Sequence, residues 1–192
     1  MTREDTRFAQ LTLLAGAGLI LLALPFVTTY NDFLTEGAIR LGVAGPLQAV
    51  GPVEARMVVT LLRLIGVHAG ASGSDLVVWD FTGRPTNLFI SWNCIGWQSL
   101  VLLGVSLSVG LRGPQGGETR AQVVLTGLLG TVLVNLLRVA LVCLLAAVGG
   151  RVPAIVFHDY GGTALIVLWL FAFWAFANRF LLHGQGEPEA VA

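Results

Sequence analysis

Long apolar runs separated by short polar stretches set the pattern of the chain. The first run covers about residues 8–30, with Arg3 and Arg7 before it and Asn31, Asp32 and Glu36 after it. Three more follow at about 94–111, 121–148 and 161–178. A helix needs about 20 apolar residues to cross the hydrocarbon of a bilayer, so each run predicts a span. Arginine before the first run places the N-terminus in the cytoplasm. The stretch 112–120, with Arg112 and Arg120 at its two ends, then reads as a cytoplasmic turn. Residues 149–160 read as an external connection, and the last span returns to the cytoplasm at Arg179 and His183. The polar tail from Gly184 is expected to fray. The first run resembles a signal peptide, but no obvious small-x-small cleavage site precedes Tyr30, so an uncleaved span kinked or ended at Pro25 is expected.

Between the first two runs the pattern is broken. Gly42, Gly45, Pro46, Gly51 and Pro52 cut residues 31–67 into short pieces. Arg56 and Arg63 share one face of a helix expected at about 54–67; an interfacial amphipathic helix is the simplest account, and a hairpin crossing twice is the alternative. Glycines and Pro85 mark 68–92 as an external loop, and its segment Asp75–Thr82 has strand-like composition suited to a short hairpin. The expected fold class is therefore all-α, a polytopic transmembrane helical bundle in one domain spanning residues 1–192. It has about four clear spans, one or more interfacial or re-entrant helices, and a short external β-like loop.

Composition sharpens this. Only 11% of the 192 residues are charged, where a soluble domain carries about a quarter. Eleven basic and eleven acidic residues cancel, so charge suggests no nucleic-acid partner. Two cysteines are too few for a disulfide framework, and no spacing among Cys and His suits zinc. No metal or cofactor is expected.

Within this apolar background a few polar residues stand out. Cys94 lies at the mouth of the second span, in its first turn or just before it, where helix N–H groups favour thiolate over thiol. Asn93 and Gly96 keep its surroundings polar and open. Arg138 is the only charge between Arg120 and Arg151, and Asn135 sits one turn before it on the same face. Placing arginine inside a span costs roughly 2.5–3.5 kcal/mol at the centre and less near an interface. His158, with Asp159 beside it as a candidate helix cap, precedes the last span and can exchange protons near neutral pH. Topology puts all three at one level. Cys94 starts an inward helix, His158 lies just before another, and Arg138 stands about 26 Å up an outward helix. Cys143, among Leu141, Val142, Leu144 and Leu145, reads as an inert core thiol, and His68 and His183 read as surface residues.

Cys94-x-Gly96 opening one span, Asn135-x-x-Arg138 in the next, and His158 followed by Gly161 before the last together resemble the exosortase/archaeosortase family of membrane cysteine transpeptidases. The stretch Leu61-Leu-Arg-Leu-Ile-Gly66 and the β-like loop are also similar, and the resemblance covers about residues 54–180. It implies an enzyme of the cell membrane with its active site at the extracytoplasmic face. Its partners would be exported proteins ending in a short motif, a membrane helix and a basic tail, with an amine or a membrane lipid as acceptor. Cys94, Arg138 and His158 would be catalytic. Asn135, Asn93, Gly96 and Asp159 would bind substrate or support them, Asn135 by orienting Arg138. Ile95 departs from the Ser or Thr that often follows the nucleophile there.

Two other classes fit parts of the pattern. In a non-enzymatic membrane assembly subunit, Arg138 and Asn135 would hold helices together and Cys94 would be incidental. A thiol oxidoreductase would pair Cys94 with Cys143, without the Cys-x-x-Cys spacing such enzymes use. A transporter is disfavoured by the small number of spans and the lack of repeated halves.

Overall fold

The computed structural model describes residues 29–113 and 115–182. Residues up to Leu41 form a unit of their own, in which residues 29–40 are helical (α1) and Arg40 Nε lies 2.8 Å from Glu36 Oε1. The first expected span therefore falls almost wholly outside the described residues. The second unit starts at Gly42 and holds everything discussed below.

Two helices in this unit are long and apolar enough to cross a membrane. The first, α5, runs over Gly117–Gly149 and contains the run expected at 121–148. Gly150, at φ +81°, ends it with backbone that other residues adopt only under strain. The second is continuous over Arg151–Leu182. It comprises α6 (Arg151–Val156), a π turn at Phe157–Gly161, α7 (Gly162–Phe176) and a second π turn at Ala177–Leu182. Large apolar side chains such as Leu133 (64% exposed), Leu168 (65%) and Phe171 (66%) project from these helices largely uncovered by the described residues of this unit. An apolar surface of that kind calls for lipid.

The run expected as the second span is shorter than its hydropathy suggests. Helix α4 covers only Trp97–Gly110, about 21 Å of helix, because Cys94, Ile95 and Gly96 are used in the turn that precedes it. It packs against α5 through Leu103, which meets Val123, Phe173 and Ala177 in a core shared with the last helix. Small residues allow close approach there: a Cβ on Gly127 would press on Phe173, and Ser106 accepts a hydrogen bond from Trp174 Nε1 at 3.3 Å.

Helix α2 (Ala44–Gln48) leads into α3 (Gly51–Leu64), which starts with Pro52 in its first turn, where a missing N–H costs nothing. Ala55, Val58, Val59 and Leu62 repeat at helical spacing and are buried against α5 and the sheet. The helix expected at about 54–67 is thus present, and its apolar stripe is covered by protein.

The β-like loop is a three-stranded antiparallel sheet in the order β1-β2-β3: Ala69–Ser72, Asp75–Trp79 and Pro85–Phe89. Gly73, at φ +61°, makes the first hairpin turn. Asp80 organises the second, its Oδ1 accepting the backbone N–H groups of Thr82 and Arg84 at 2.8 Å each. Leu76 and Val78 point into the core while their neighbours point outward, the period-two pattern of a half-buried sheet. The last residues of β3 deliver the chain to the turn that carries Cys94.

Candidate active site

The turn Ser91–Gly96 is shaped by its neighbours. Cys94 N–H donates to the Ser91 carbonyl at 2.8 Å, closing it locally. Gln48 fixes it from outside: its amide donates to the Ile90 carbonyl and to Ser74 Oγ, both at 3.0 Å, and its Oε1 accepts the Trp92 N–H at 2.8 Å. Gly96 is required twice over. Its φ is +79°, and a Cβ there would lie 2.6 Å from Asn135 Cγ. Cys94 therefore precedes α4 by a turn, half-buried.

His158 Nε2 lies 3.4 Å from Cys94 Sγ, and Ser91 Oγ is also at 3.4 Å. On its other side, His158 Nδ1 is 2.9 Å from Asp159 Oδ1. Burial pushes the Cys94 thiol up, but hydrogen bonds with His158 and Ser91 and the charges of His158 and Arg138 outweigh it. The thiol is brought down to about 7.

The backbone at His158 differs from expectation. Residues 149–160 do not form a loop before the last helix; the helix begins at Arg151, and Pro153 is tolerated because it falls in the first turn. His158 lies well inside this helix, on the π turn, a widening often found at functional positions. Asp159 consequently caps nothing and bonds to His158 instead.

Arg138 comes to the same place from α5. Its Nη2 donates to the His158 carbonyl at 3.4 Å, while its Nε is buried with no hydrogen-bond partner among the described residues. Gly162 makes room for it, since a Cβ at that position would run into Arg138 Nε. Asn135 does not orient Arg138, although the two share a helix face. Its Nδ2 donates to Glu54 Oε1 at 2.7 Å and to the Cys94 carbonyl at 3.0 Å.

Glu54 is the residue that sequence reasoning missed. It is 6% exposed on the buried face of α3. Burial pushes its carboxyl up and the charge at Cys94 adds to this, while the Asn135 bond and Arg138 pull it down, leaving it at about 7. The signal was available: a lone acid one turn before Val58 on an otherwise apolar stripe. Asn93 lies half-buried in the turn beside Cys94. Cys143 is buried in the core, and both cysteines are free thiols. Among the described residues no cluster of His, Cys, Asp or Glu could hold a metal ion.

Cys94, Arg138 and His158 line one cavity of about 590 Å³, bounded by β3, α5 and α6. The arrangement combines a thiol with a depressed pKa, a proton carrier in hydrogen-bond reach and a cation lining the same cavity. The family model described as transmembrane exosortase matches residues 7–175. The chain belongs to the transmembrane exosortase family. The match takes in Cys94, Arg138 and His158 and extends further toward the N-terminus than the motifs quoted above. No curated protein and no solved structure matches the chain. As an exosortase-family protein with two membrane-length helices, it resides in a membrane.

Proposed function

We propose that this exosortase-family protein is a membrane cysteine protease and transpeptidase that cleaves C-terminal sorting signals from exported proteins and passes them to an acceptor. The observation that carries this reading is the 3.4 Å approach of Cys94 Sγ to His158 Nε2 in a cavity shared with Arg138. The Cys94 thiolate attacks the scissile carbonyl, forming the C–S bond as the carbonyl electron pair moves onto oxygen. Arg138, whose guanidinium reaches the same cavity, stabilises that oxyanion by its positive charge. When the tetrahedral species collapses, the C–N bond breaks and the His158 imidazolium gives its proton to the leaving amine. The released tail carries the membrane helix and basic end. An amine or a lipid-borne nucleophile then attacks the thioester, His158 takes its proton, and the thiolate departs. Asp159 holds the imidazole through Nδ1.

The site lies at the extracytoplasmic face, where a substrate held by its own membrane helix shares a plane with the sulfur. The test is to follow C-terminal processing of host proteins that end in a motif, a helix and a basic tail. Cys94→Ala, Arg138→Ala and His158→Ala each abolish processing while membrane insertion persists, and Cys143→Ala does not. Processing that survives Cys94→Ala overturns the proposal.

A further inference from the structure

The cavity that holds Cys94 has a second feature with no role in the chemistry above. Six consecutive residues of the β3 segment, Pro85 to Ile90, line it. A cavity resting on one face of a strand would touch alternate residues; one lined by every residue lies along the strand's edge. β3 is an edge strand, paired with β2 alone among the strands described. Its register shows which backbone groups face the cavity side. Ile90 N–H donates to the Ser74 carbonyl and Asp80 N–H to the Arg84 carbonyl. Leu88 opposite Leu76 and Thr86 opposite Val78 continue that hydrogen-bonded series. The N–H and C=O groups of Asn87 and Phe89 therefore point away from β2.

We propose that this edge is the substrate-binding surface: an extended peptide segment of the exported protein adds to β3 as a fourth strand and brings its scissile carbonyl to Cys94. This rests on the protease reading above and names how its substrate is held. An open edge invites aggregation unless it is covered, and a peptide backbone is the partner that satisfies it. The occupant is specified by continuity, because the same cavity runs from the edge to the sulfur and to Arg138 and His158. Its wall is apolar between those ends, with Leu88, Val139, Val142 and Ala154. Backbone pairing supplies binding that is indifferent to side chains, and specificity falls to the alternate side chains that face this wall.

The test uses the full chain in liposomes with a mixed-sequence library of capped tetrapeptidyl chloromethyl ketones, reading Cys94 by intact mass. Alkylation forms a C–S bond and expels chloride, so it reports occupancy without turnover. Backbone N-methylation of the peptide is expected to slow labelling about tenfold at alternate positions and little at the others. Asn87→Pro removes one outward N–H and no bond to β2, a substitution that edge strands tolerate. It is expected to slow peptide labelling about tenfold while iodoacetamide labels Cys94 within about twofold of wild type, and Asn87→Ala is expected to change neither. The edge proposal is overturned if N-methylation has no positional pattern and Asn87→Pro has no effect. It is equally overturned if the peptide probes react no faster than chloroacetone. A Cys94 that iodoacetamide fails to label ahead of Cys143 instead overturns the protease reading itself.

Discussion

Asn135 reaches across from α5 to Glu54 on α3, residues separated by 81 positions, with 2.7 Å between amide nitrogen and carboxyl oxygen. The same nitrogen holds the Cys94 carbonyl. One amide thus ties the Cys94 turn to a buried acid, and the acid's protonation state enters the stability of the site.

Glu54→Gln tests that tie by thermal unfolding against pH. The carboxyl is raised from 4.5 to about 7. A raised carboxyl contributes stability that is complete below its unfolded value and is lost as pH climbs through the folded one. Wild type and Gln variant should unfold at the same temperature at pH 4. The Gln variant should be the more stable at pH 8. Glu54→Ala, which removes one of the two acceptors of Asn135, should cost roughly 1–3 kcal/mol at pH 4, and the cost should shrink as pH rises through about 7.

Cys94 should be alkylated by iodoacetamide with a midpoint of about 7, where an ordinary thiol in the same assay titrates near 9. A lowered thiol is more ionised at neutral pH, so the rate rises between about pH 6 and 8. His158→Ala removes a hydrogen bond and a charge that lower it. The midpoint should move up, and the rate at pH 7 should fall about tenfold.

Gly162→Ala removes no side chain of the cavity but puts a methyl against Arg138 Nε. Tail processing should fall between about tenfold and a hundredfold as the guanidinium is displaced. The membrane helix should remain, and iodoacetamide should still label Cys94 with nearly the wild-type pH midpoint. A variant that processes normally would show that Arg138 is not held where the reaction needs it.

Gly96→Ala should act on the turn itself, through a left-handed φ and the contact with Asn135. A loss of roughly 1–3 kcal/mol is expected in thermal unfolding, with Asn135→Ala relieving part of it.

The two membrane-length helices were legible because long apolar runs with so few charges have few other uses. Cys94, Arg138 and His158 stood out for the same reason, since a polar side chain in such a background needs a cause. What the pattern hid was backbone. Gly149-Gly150 and Pro153 read as a loop, yet a proline in a first turn is compatible with helix, and His158 was placed before its helix when it lies inside it. Helix α4 looked long because Cys94, Ile95 and Gly96 are apolar or small, although a left-handed glycine cannot continue a helix. Only β2 had strand-like composition; β1 is built of small residues and β3 begins at Pro85. Glu54 was lost in a stretch broken by glycine and proline, where an apolar stripe is hard to follow. Asn135 and Arg138 share a face, but shared faces do not settle which partner an amide chooses.

The widened turn at Phe157–Gly161 carries one more implication. An extra residue in that turn shifts the phase of the helix by roughly 100° between His158 and everything after it. The imidazole's aim at the sulfur is thereby uncoupled from the direction in which α7 presents Leu168 and Phe171 to lipid. Deleting Tyr160 to restore regular winding would force a choice between the two: either the ring swings off the sulfur, or the greasy stripe rotates inward.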